Sequence, residues 1–68
     1  MREWIGNYRL YYKIYYSYKD EWVTTFTELG KCLGCAEAAE KAVAFLQNCE
    51  DEVLPLFIRD GFGNNFKA

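Results

Sequence analysis

An α+β fold with element order ββαβ, an antiparallel three-stranded sheet with one helix packed across one face, is predicted by three observations. Residues 8–19, Y-R-L-Y-Y-K-I-Y-Y-S-Y-K, are dense in β-forming side chains and separate at a two-residue period into two chemically different sets. Residues 35–48 combine strong helix formers with an apolar stripe at helical spacing. Two further runs, residues 22–27 and 53–59, are rich in aromatic and aliphatic residues and are bounded by polar or glycine-containing breaks.

The first strand is expected over residues 4–18, with Gly6-Asn7 marking a bulge or bend near its start. Tyr8, Leu10, Tyr12, Ile14, Tyr16 and Tyr18 point one way, and Arg9, Tyr11, Lys13, Tyr15, Ser17 and Lys19 the other. The polar break Lys19-Asp20-Glu21 followed by residues 22–27 reads as a hairpin. A two-residue loop would set Tyr18 opposite Glu21 and Tyr16 opposite Val23. A three-residue loop sets Tyr18 opposite Trp22, Tyr16 opposite Thr24 and Ile14 opposite Phe26. The second is preferred, because it gathers Trp22 and Phe26 with Leu10, Tyr12, Ile14, Tyr16 and Tyr18 on one core-forming face. Lys13, Tyr15, Val23, Thr25 and Thr27 then take the other.

Residues 29–34 form a connection with two glycines, and the helix follows over about residues 35–48. At 100° per residue Cys35, Ala38, Ala39, Ala42, Val43, Phe45, Leu46 and Cys49 share one side, with Glu37, Glu40, Lys41, Ala44, Gln47 and Asn48 opposite. The acidic link Glu50-Asp51-Glu52 disfavours the negative end of the helix dipole, so the helix should stop before it. Residues 53–59 form the third strand. Pro55 cannot donate to a ladder, which places that strand at an edge or starts it after the proline. Residues 1–60 are read as a single domain and residues 61–68 as a turn-rich tail.

Sixty-eight residues with 51 % hydrophobic and 19 % aromatic content suit one small folded domain rather than a disordered chain. A net charge of −2 lacks the basic footprint of a general nucleic-acid binder. The charge is segregated, however. Arg2, Arg9, Lys13, Lys19 and Lys31 precede the cysteine pair, and Glu37, Glu40, Glu50, Asp51 and Glu52 follow its first member. No apolar run reaches the roughly 18 residues that span a bilayer, and Met1-Arg2-Glu3 lead into a strand rather than a signal sequence. A soluble cytoplasmic protein without membrane partners is expected, its three cysteines reduced.

Catalysis is not expected. The chain has no histidine, its one serine, Ser17, has no activating neighbour in the sequence, and no glycine loop joins a strand to a helix in the manner that cradles phosphate. Cys32-Leu33-Gly34-Cys35 is the one spacing with a known chemical use, gripping a metal or forming a disulfide at a helix start. The string C-L-G-C-A-E-A-A-E-K-A-V resembles the copper-binding loop and first helix of heavy-metal-associated domains. The resemblance implies Cys32 and Cys35 as ligands. It covers about a dozen residues, and a hairpin stands before the motif where that family has one strand. Cys49 adds no ligand, since 14 residues of helix separate it from Cys35 by about 21 Å. The reading retained is that Cys35 and Cys49 are small buried residues on the apolar helix face, with Cys32 nearby, and that there is no metal and no cofactor.

The candidate partner-binding surface is Arg9, Tyr11, Lys13, Tyr15 and Lys19, with Glu37 and Glu40 on the outer helix face. The expected function is a small non-enzymatic protein-binding module that occupies a surface of a larger protein or complex. Its size suggests an inhibitor carried by a phage or other mobile element in a bacterial cytoplasm. The alternative is single-stranded nucleic-acid binding by the same aromatic and cationic residues, and a second alternative is thiol metal binding through the C-x-x-C. Homodimerisation through hairpin edges or exposed aromatics fits any of these.

Overall fold

A computed structural model of the protein describes residues 6–50 and 52–67. The expected strand start at Trp4, together with Arg2 and Asp51, lies outside the described residues. The elements are β1 (Gly6–Tyr16), β2 (Glu21–Cys32), α1 (Cys35–Gln47), β3 (Val53–Arg59) and β4 (Asn65–Lys67). They form one sheet in the order β2-β1-β3-β4, antiparallel at every step. The protein is α+β, and its described residues hold one helix, as expected, but a sheet of four strands rather than three.

The fourth strand exists because Asp60 organises the D-G-F-G-N segment. Its Oδ1 accepts from the backbone amides of Phe62 and Asn64, both at 2.9 Å, and its Oδ2 accepts from Asn64 Nδ2 at 3.1 Å. This aspartate-nucleated turn reverses the chain and brings Phe66 opposite Ile58, where its ring packs against the core. β1 lies inside the sheet, antiparallel to both β2 and β3, so α1 crosses over it to join two strands running parallel to each other.

The hairpin register corrects the sequence-based expectation. The turn takes four residues, 17–20, closed by the Lys19 amide donating to Tyr16 O at 3.1 Å. Asp20 adopts the left-handed conformation at φ 52, which aspartate tolerates better than most residues. Tyr15 therefore faces Trp22, Ile14 faces Val23 and Tyr11 faces Phe26. Trp22 and Phe26 leave the helix side, and Val23, Thr25 and Thr27 enter it. The longer turn keeps the large rings of β2 away from the helix-covered face, to which that strand contributes smaller side chains instead.

The core comprises Tyr8, Leu10, Cys32, Ala38, Ala42 and Ile58, with Tyr12, Leu29, Phe45, Leu46 and Phe66 packed around it. The helix contributes a narrower stripe than expected. Ala38 and Ala42 are buried and Phe45 and Leu46 half-buried, whereas Cys35, Ala39 and Val43 are not part of the buried set. Two alanines one turn apart allow close approach to the sheet, and the flanking rings, including Tyr12 against Phe45 at 5.3 Å, fill the sides.

Two bulges shape the sheet. Leu29 is an extra residue between the pairs Arg9–Glu28 and Tyr8–Gly30, and Gly30 accommodates it at φ 78. Leu56 is extra between Tyr11–Phe57 and Tyr12–Pro55. Pro55 lies inside β3, but β4 pairs only with residues 57–59, so the proline's outer side is an edge, as its missing N–H requires.

Candidate functional interface

The sheet face away from α1 is built of cross-strand rows fixed by the registers. One row runs Phe26, Tyr11, Phe57 and Lys67 across the four strands, and the next runs Glu28, Arg9, Arg59 and Asn65. On the other side of the aromatic row lie Thr24, Lys13 and Leu54, then Trp22 with Tyr15.

These side chains form a ladder. Tyr11 stacks on Phe57 with centroids 4.8 Å apart and planes 18° from parallel, and it meets Phe26 at 5.3 Å. The Arg9 guanidinium lies 4.7 Å over Phe26, and that of Arg59 lies 4.9 Å over Tyr11 and 5.3 Å over Phe57. Both guanidiniums are anchored at Nε, Arg9 to Glu28 Oε1 at 2.8 Å and Arg59 to Asn65 Oδ1 at 2.9 Å. The Tyr11 hydroxyl and the Glu28 carboxylate push the Arg9 pKa upward, so its charge is constant in any working buffer. Further along, Tyr15 packs on Trp22 at 5.3 Å and donates its hydroxyl to Asp20, which raises the Tyr15 pKa.

Of the residues singled out from sequence, the structure brings Arg9, Tyr11, Lys13 and Tyr15 onto this face. Lys19 sits in the hairpin turn with its Nζ 5.6 Å over the ring of Tyr18, apart from the ladder. Glu37 and Glu40 lie on α1, across the sheet from the ladder, and Glu37 pairs with Lys41 at 3.8 Å. Sequence reasoning missed Trp22, Phe26, Phe57 and Arg59. The first two were hidden by the register choice, and the alternation of Trp22 and Phe26 with Val23, Thr25 and Thr27 was a usable signal. Phe57 and Arg59 flank Ile58 at the same period, but their neighbour in the sheet is set by topology.

Cys32 and Cys35 are in different surroundings. The Cys32 thiol is buried, points to the Gly30 carbonyl at 3.5 Å and has its pKa raised by that burial, while Cys35 is exposed at the helix start. Among the described residues no group of three or more cysteine or carboxylate side chains could hold a metal ion, and no helix is long and apolar enough to cross a membrane. Comparison of the chain with protein-family models, curated proteins and solved structures finds no match.

Proposed function

We propose that the protein is a non-enzymatic protein-binding module that engages its partner through the helix-free sheet face. The observation that carries this reading is the ladder of Arg9, Phe26, Tyr11, Phe57 and Arg59, whose ring faces are turned on one another and on the two guanidiniums. Stacking of unpaired bases needs open ring faces. A ladder already closed in this way offers ring edges and arginine termini, which suit side-chain packing against a folded protein. Trp22, Phe26 and Leu54 stay 43 %, 44 % and 51 % exposed on this face, enough apolar surface to anchor an interface.

The test is native mass spectrometry of the chain purified from its host under reducing conditions, beside a Trp22→Ser/Phe26→Ser variant and a Glu40→Lys variant. A partner protein held at fixed stoichiometry should be lost, by about tenfold or more in affinity, from the sheet-face variant and kept by the helix variant. Equal capture by all three overturns the assignment of the face. Among the described residues the cross-strand rows of this face carry Arg9, Lys13, Arg59 and Lys67 against Glu28, with Asp20 at Tyr15 and Asp60 beside Arg59 as further carboxylates at its ends. Salt-sensitive retention of a single-stranded thymidine oligonucleotide, abolished in the same sheet-face variant, would therefore reassign the module to nucleic acid.

A further inference from the structure

At the end of the ladder, the row of Glu28, Arg9 and Arg59 opens into a recess of about 490 Å³ completed by Asn7, Asp60, Gly61 and Gly63. Two features make it more than a surface dent. Its guanidiniums are held in place, each stacked on a ring and each fixed through Nε, so the terminal amino groups are what they have left to offer. And its charges, two guanidiniums and two carboxylates, balance in number but are unequally paired. Arg9 is paired with Glu28, and the Asp60 carboxylate is taken up by Phe62 and Asn64, but Arg59 has no carboxylate partner among the described residues. The Gly61 amide, on the rim of the same recess, also meets no acceptor among the described residues.

We propose that this recess is a carboxylate site, in which the terminal amino groups of Arg59 receive an acidic side chain of the protein partner. Arg9 and the Gly61 amide border the bound group, and the aromatic ladder packs beside it. An anchored planar guanidinium loses little freedom on pairing and matches the two oxygens of a carboxylate in one plane. The proposal rests on the protein-binding reading and narrows it, since the partner must then present an aspartate or glutamate next to apolar surface.

The recess can be read without the partner, so its failure is distinct from failure of that reading. The full chain, labelled with ¹⁵N, is titrated with acetate and separately with inorganic phosphate at constant ionic strength. Saturable shifts with acetate are expected at Arg59 Nε–H and at the Gly61 and Gly63 amides, with the Lys41 and Glu40 amides on the helix unmoved. The Arg59→Gln variant should weaken the apparent affinity by about tenfold or more, the loss of one charge-assisted pair. Arg59→Lys, which keeps the charge and loses the planar fork, should fall between the two, and spectral dispersion reports whether each variant is folded. Shifts that stay linear in acetate in the parent chain, or that saturate in Arg59→Gln with the parent's affinity, overturn the site. Saturation by phosphate at least tenfold tighter than by acetate overturns the choice of carboxylate.

Discussion

Leu10 has no exposed surface, and it stands at the middle of β1 between Thr27 on one side and Ile58 on the other, beneath the alanines of α1. Cutting it to alanine removes buried methyl groups from a site walled by three elements. Leu10→Ala should cost about 2–5 kcal/mol, a large share of what a chain of this size has. Urea denaturation checks it, through a lower midpoint at unchanged slope, and a cost under about 1 kcal/mol would contradict the packing described. Tyr11 next in the chain obeys the opposite rule. Its ring faces outward from the core and is held by Phe57, Phe26 and Arg59, so truncating it should weaken the proposed binding face more than the fold. Neighbouring residues thus meet different surroundings, and the two-residue period of β1 makes that distinction legible in the sequence itself.

Among the elements, β2 depends most on one backbone conformation. Gly30 sits at φ 78 in the bulge that returns Cys32 to the core, and a methyl group added there would meet nothing within 4 Å. Gly30→Ala should therefore cost about 1–2 kcal/mol from the left-handed backbone alone, with no steric term. Gly63, at φ 89 with equally open space, is the matched comparison. Hydrogen exchange separates them: Gly30→Ala should loosen amides at the β1–β2 end, and Gly63→Ala only those of the turn and β4. The helix, the hairpin and β3 were each legible from propensity and period. The register of the hairpin was not, since turns of three and four residues are both compatible with S-Y-K-D-E and differ in which face every β2 side chain takes. β4 was hidden because three residues are too few to show a period, and its existence depends on the Asp60 side chain rather than on its own composition.

At the scale of the whole molecule, pH should act from both ends. Burial alone would push the Asp60 carboxyl up, but hydrogen bonds from Asn64, Phe62 and Gly63 outweigh it and hold the pKa below its ordinary value. A depressed carboxylate stabilises the folded state above the unfolded-chain pKa, and that contribution is lost as pH falls through the folded value. Cys32 and Tyr12 are raised chiefly by burial, so their contribution holds below the ordinary values and is lost as pH climbs through the folded ones. Urea midpoints should be flat near neutrality and fall on both limbs. Asp60→Asn should flatten the acid limb, with variant and parent converging at its foot; an unchanged acid limb would remove Asp60 from the account. The candidate site was half legible at this scale. Its β1 residues followed from alternation, whereas Phe57 and Arg59 arrive from a strand placed beside β1 only by the crossover of α1.

The alternation along β1 also bears on how such a protein can change over generations. A codon substitution at Arg9, Tyr11, Lys13 or Tyr15 alters what the surface greets and leaves Tyr8, Leu10 and Tyr12 holding the core. The chemistry of the exposed face can therefore drift one codon at a time on an inherited scaffold. Loss or gain of a single codon inside β1 has no such latitude, because, unless a bulge absorbs it as at Leu29 and Leu56, it exchanges the two sets between core and surface from that point on.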